Sequence, residues 1–336
     1  MLDKDISQRI AIARVFLIFG IIVIHVPPSL PLAELSQAPF DLIRGFFTHG
    51  LFRGSVPVLT MISGYLLFHS QIDQQFNQLI KKKSRSLLLP LILWNIPLLV
   101  VVFIIQQQGL MQHDFSAQLV PFDWLNWLNA LTGLTGVTIN YPLNFLRDLF
   151  VLALLAPIFG WFIRYQPKMG LILVMALFYS TWDGRLIYNN IMPINFYLGG
   201  MAAIYQWNVK RLDPYAIPAV ILLAILCFAV AWFDFFEPRS FKTLSPFLIW
   251  PALALLCHSR VGHFLASLSP HSFFVFLSHG PILFAVAIVY GRFNHSLPFA
   301  VYWLLAPFVV FGIAVYSHKF LRHFFPTITR FILGGR

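Results

Sequence analysis

Along most of the chain apolar residues run on without the polar interruptions at helical spacing that mark a water-facing helix. Runs such as AVILLAILCFAVAWF are broken only by short polar or proline-containing segments. About 20 apolar residues cross the hydrocarbon core of a bilayer as a helix, and no other open structure satisfies its own backbone there. The pattern therefore predicts an all-α, polytopic integral membrane protein, a single membrane domain over residues 1–336. Ten spans are placed near 10–28, 50–69, 87–106, 142–163, 169–182, 191–206, 215–233, 244–257, 272–290 and 298–317, the fifth and eighth being short. Ten spans put both termini on one side.

Most of the 23 Lys and Arg fall on the side of the termini, in QIDQQFNQLIKKKSR, RYQPK, WNVKR and the last segment, HKFLRHFFPTITRFILGGR. The longest opposite loop, 107–141, has neither residue. The positive-inside rule then places both termini in the cytoplasm. Tryptophans 124, 127, 161, 182 and 207 lie near span ends, as interface anchors do.

Composition agrees: 10% of the residues are charged and 59% hydrophobic, where a soluble domain carries roughly 25% charge. The net charge of +11 would suit a nucleic-acid partner, but loops between spans hold these cations and topology accounts for most of them. Cys227 and Cys257 lie in or at the end of apolar runs and read as packing residues, not as a disulfide or metal site. Lys4 and Arg9 before an apolar run resemble a signal peptide, but no small-x-small cleavage site follows, so the first span reads as uncleaved.

Candidate chemistry lies in the polar residues inside the spans. Arg14 and His25 stand eleven residues apart, three helical turns plus about 20°, so they share one face ~16 Å apart along the axis. An arginine at that depth costs at least ~2.5 kcal/mol on insertion scales and should face a polar cavity or a partner. Snorkelling to the headgroups is the alternative. Arg53 and a Ser63-Gly64-Tyr65 break mark the second span, and Arg147 and Asp148 the fourth. Those two point about 100° apart and need not pair with each other. His279 lies inside the ninth span between Ser278 and Gly280. The KKKSR run, Lys81 to Arg85, serves either topology and anionic lipid or a phosphate-bearing donor.

Four blocks together resemble the acyltransferase-3 family of integral membrane acyltransferases. They are Arg-x10-His in the first span (Arg14, His25), RGSVPVLTMISGYLL in the second, the basic loop running into LLLPLILW, and PLNFLRDLFVLALLAP. FLSHGPIL resembles the family's late Tyr-x-x-His-type motif. Asn144 replaces a common tryptophan and Phe276 a common tyrosine. The secreted esterase-like domain of many relatives is not present in this chain.

The resemblance implies transfer of an acetyl or succinyl group from cytoplasmic acyl-CoA, a cosubstrate and not a resident cofactor, to a glycan hydroxyl. The acceptor would be a cell-envelope glycan or exopolysaccharide outside the bacterial inner membrane, with a polysaccharide synthase or export complex as a further partner. His25 would be the general base, an acyl-histidine being the variant, with Arg14 beside the donor. Lys82, Arg85 and Ser63 would bind the donor, and Arg53, Arg147 and His279 the outer substrate. No metal or nucleic acid is implied. The rival classes are a transporter or flippase for lipid-linked sugars, since buried Arg, Asp and His also line translocation routes, and a noncatalytic scaffold.

Overall fold

A computed structural model describes residues 2–109, 117–180, 186–233, 238–293 and 296–336. The described residues are helical with no β-strand. Seven helical stretches are long and apolar enough to cross a membrane: α1 (Lys4–Ile24), α2 (Pro39–His69), α3 (Phe76–Gln107), α5 (Tyr141–Tyr165), α8 (Asp213–Phe233), α10 (Arg260–Phe293) and α11 (Phe299–Phe324). The other three expected spans fall on shorter apolar helices, α6 (Pro167–Ser180), α7 (Ile191–Ile204) and α9 (Phe241–Cys257). Two further short helices are α4 (Trp124–Thr132) and α12 (Pro326–Ile332). Trp182, one of the expected anchors, lies outside the described residues.

α3 and α10 begin well before the apolar runs that revealed them. Their lead-ins, FNQLIKKK and RVGHFLASL, repeat apolar residues at i, i+3 and i+4 among polar ones, so they form helix without passing for a span.

The chain divides into two compact units, Met1–His69 with Ile194–Tyr316, and Ser70–Pro193 with Ser317–Arg336. In the first, α1 is the central helix. Ile12, Ala13, Val15, Leu17, Ile21 and Ile22 are buried around its circumference, as expected of a helix apolar on every side. The Asp3 carboxylate caps its start by accepting the Asp5 N–H at 2.8 Å. α2 crosses α7 at two facing glycines. A methyl on Gly64 would strike the Phe196 carbonyl, and one on Gly199 the Met61 carbonyl, so only small residues allow this approach. Cys227 of α8 packs against Gly50, and Cys257 is buried, both as packing residues.

In the second unit, polar side chains of α3 take the place of water for a neighbouring loop. The Asn95 amide donates to the Leu131 carbonyl at 2.9 Å and accepts the Asn140 N–H at 3.0 Å. Gln106 donates to the Ala117 carbonyl and accepts the Leu119 N–H, at 2.8 and 2.7 Å. Leu99, Val102, Leu119, Ala130 and Ile139 form the apolar core beneath. Arg164 pairs with the buried Asp73 at 2.7 Å.

Candidate active site

The site grows from the end of α1. The helix stops where the chain meets Val26-Pro27-Pro28, since proline disfavours helix in the residue before it and lacks an N–H. His25 is the C-cap, half-buried at the helix end. One turn and a half earlier, bare Gly20 admits the Phe52 ring directly against the helix. That contact seats the 3₁₀ turn Leu51–Gly54 on α1 and brings Arg53 close enough to His25 to act on it electrostatically. The preceding five residues, Phe46–Gly50, form a π-helical turn, a feature often found at functional sites.

His279 of α10 completes the group. Its ring centroid lies 5.6 Å from that of His25, with 30° between the planes. The His279 side chain is fully buried, and its Nδ1 stands 2.6 Å from the Phe276 carbonyl. A carbonyl only accepts, so Nδ1 carries the proton and Nε2 keeps its lone pair. That Nε2 is buried and has no hydrogen-bond partner among the described residues. Two imidazoles thus meet, with a guanidinium within electrostatic reach, where a hydroxyl proton can be accepted and a developing negative charge stabilised.

Arg14 lies on the same helix as His25 and is exposed, while Ile12, Ala13 and Val15 beside it are buried. Among the described residues it makes no hydrogen bond, ion pair or ring contact. Arg9, one and a half turns away, is the opposite case. It is 2% exposed, grips both oxygens of Asp213 at 2.8 and 2.6 Å, and lies 5.0 Å over the Trp250 ring. Ser63 is half-buried and donates its hydroxyl to the Leu59 carbonyl at 2.8 Å, within its own helix.

The remaining expected residues belong to the second unit. Lys82 and Arg85 are exposed, two to three turns into α3. Arg147 is buried, and all three of its nitrogens are engaged. Nε donates to the Gly133 carbonyl at 3.0 Å, Nη1 to Asp148 at 2.9 Å and to the Leu186 carbonyl, and Nη2 to the Leu134 carbonyl at 3.4 Å. The guanidinium also lies 4.4 Å over the Tyr188 ring. Arg147 and Asp148 do pair, although their Cα–Cβ directions diverge, because the long arginine side chain folds back over its neighbour. Asp148 accepts the Tyr188 and Asn189 N–H groups at 3.2 and 3.0 Å as well. Asn144, at the variant position of the family block, accepts the Thr138 N–H at 2.9 Å. Phe276, the other variant position, supplies the carbonyl that fixes His279.

A helical membrane chain with this histidine and arginine group gathered at the end of its first span has the makings of an acyl-transfer enzyme. A family model described as an acyltransferase domain matches residues 8–318, and the chain belongs to the acyltransferase-3 family as a multi-pass membrane acyltransferase. It is similar to the succinoglycan biosynthesis protein ExoH of Rhizobium meliloti (strain 1021), with 29% identity over 353 residues covering 100% of this chain and 94% of the relative. No solved structure matches the chain.

Proposed function

We propose that the protein transfers an acyl group, acetyl or succinyl, from acyl-CoA on the cytoplasmic side of the bacterial inner membrane to a hydroxyl of an exopolysaccharide or other envelope glycan outside. One observation carries this reading. On α1 of a chain in this family, an accessible arginine without a partner stands ~16 Å along the axis from a histidine grouped with a second imidazole and a guanidinium. An arginine at span depth that is not neutralised by the protein suits an anionic ligand, and CoA carries several phosphates. Its long pantetheine arm suits the distance from Arg14 to His25. The name of the relative, a succinoglycan biosynthesis protein, supports a polysaccharide acceptor.

In this mechanism the acceptor hydroxyl gives its proton to a ring nitrogen of His25 as its oxygen attacks the thioester carbonyl. The tetrahedral oxyanion draws on Arg53, and the CoA thiolate leaves as the carbonyl re-forms. The proton held by His25 then passes to the thiolate. His279, its tautomer fixed by the Phe276 carbonyl, presents Nε2 as an acceptor that orients the reacting groups. Ten spans with both termini in the cytoplasm, the three short helices counted, put the two ends of α1 on the sides this scheme needs.

The test uses membrane vesicles with the co-expressed polysaccharide and labelled acetyl-CoA and succinyl-CoA in parallel. Label entering the glycan from one donor, and lost in His25→Ala at equal protein level, is the expected result. No label from either donor with an authentic acceptor present would sink acyl transfer from CoA.

A further inference from the structure

Lys82, Lys83 and Arg85 lie within one turn of one another in the polar lead-in of α3, and no carboxylate pairs with any of them among the described residues. Arg336 and Lys82 both lie close enough to Lys83 to act on it electrostatically. Lys82, Lys83 and Arg85, gathered without a carboxylate among the described residues, repel one another until an anion joins them. Flexible lysines alone would make only a loose patch, but the segment after α11 makes this a built site.

α12 ends in a Schellman-type cap. The Gly334 N–H donates to the Phe331 carbonyl at 3.0 Å and the Gly335 N–H to the Arg330 carbonyl at 2.7 Å, with φ of 70° and 87° at the two glycines. The Trp94 indole N–H donates to the Ile332 carbonyl at 3.1 Å and ties the helix to α3. The glycine backbone then lies directly on Arg85. A methyl on Gly334 would strike the Arg85 main chain, and one on Gly335 would stand 2.9 Å from Nε and 3.1 Å from Cζ of its guanidinium. One side of the guanidinium is packed in this way, yet Arg85 makes no hydrogen bond among the described residues. Its donors are held in position and unspent, the condition for bidentate grip of a phosphate. Arg336 follows at once, its Nη2 3.4 Å from the Ser86 carbonyl on the same turn.

We infer that Gly334, Gly335 and Arg336 complete a phosphate-binding site with Lys83 and Arg85, the glycines fixing the Arg85 fork and Arg336 adding a cation. The ligand is a phosphate group, carried either by a nucleotide-bearing donor or by an anionic phospholipid. The first source rests on the acyl-CoA reading above.

The full chain is reconstituted in phosphatidylcholine nanodiscs and titrated with free coenzyme A. Arg336→Ala and Gly335→Val are expected to bind it about ten-fold more weakly than wild type, with Arg336→Lys recovering part of the loss. Arg336 is exposed, so its substitution leaves the unfolding midpoint in place even where Gly335→Val disturbs folding. Equal affinity in wild type and both variants, with Arg14→Ala alone weakening it, overturns the inference and leaves the acyl-CoA reading standing. If wild type does not bind coenzyme A, that reading falls instead, and discs containing phosphatidylglycerol decide the site. Stabilisation by that lipid, removed by Arg336→Ala, upholds a headgroup site, whereas no stabilisation overturns it.

Discussion

The two units each draw charged and polar groups into apolar helices, and they finish the task differently. Around Arg147 every nitrogen of the guanidinium has an acceptor, and Asp148 is bound by an arginine and two backbone N–H groups. Around His25 the balance is left open. His279 Nε2 is buried without a hydrogen bond, and Arg14 on the same helix makes none either. A saturated network holds loops together and has nothing left for a ligand. An unsaturated one carries the cost of desolvation until a ligand arrives. Under the proposed function the contrast gives structure to the first and chemistry to the second, although both are rich in arginine.

Substitutions can break that contrast. The largest expected effect is on turnover: His25→Ala lowers acyl transfer by about 10²–10⁴-fold, read as label entering the glycan, with no change in the unfolding midpoint. Arg147→Ala reverses the pattern. It strands the buried Asp148 and destabilises the protein by about 3–5 kcal/mol, measured by denaturant unfolding in detergent. If instead Arg147→Ala folds normally and loses only activity, the saturated network is itself a substrate site and the contrast fails. Arg14→Ala is expected to raise the KM for the acyl donor about ten-fold at unchanged stability, whereas Arg9→Ala costs stability by leaving Asp213 without its partner. Smaller than the loss in Arg147→Ala is that of Asp148→Asn, about 1–3 kcal/mol in the same unfolding assay, since the Tyr188 and Asn189 N–H groups bond different carboxylate oxygens and one amide oxygen keeps only one of them.

Much of the fold was legible because a bilayer demands long apolar runs: seven of the expected runs coincide with helices long and apolar enough to cross, and the other three fall on shorter apolar helices. Their starts were less so. Lead-ins such as RVGHFLASL are too polar to register as spans and are helical all the same. At the site, Arg14 and His25 were legible from their spacing on one helix, but no local rule links His25 with His279, 254 residues later, or with Arg53 across the Gly20–Phe52 contact. The pairing of Arg147 with Asp148 escaped for a different reason. Helical geometry fixes where a side chain starts, and a long side chain ends where its acceptors are. In this case those are carbonyls of segments 133–134 and 186, which no periodicity reveals. The Gly-Gly pair at 334–335 had a visible signal, a glycine C-cap after an apolar helix, but its partner Arg85 did not.

The division of the chain also sets a timetable for assembly. The loop held by Asn95 and Gln106 lies within 45 residues of both, so it can dock soon after it leaves the ribosome. Arg9 has no such luck, because Asp213 is 204 residues away. At common elongation rates that is about 10–40 s during which the first helix waits in the membrane with its arginines unmatched. Chaperoning of that helix by the insertion machinery, or by lipid headgroups, is therefore a requirement of biogenesis written into the order of the sequence.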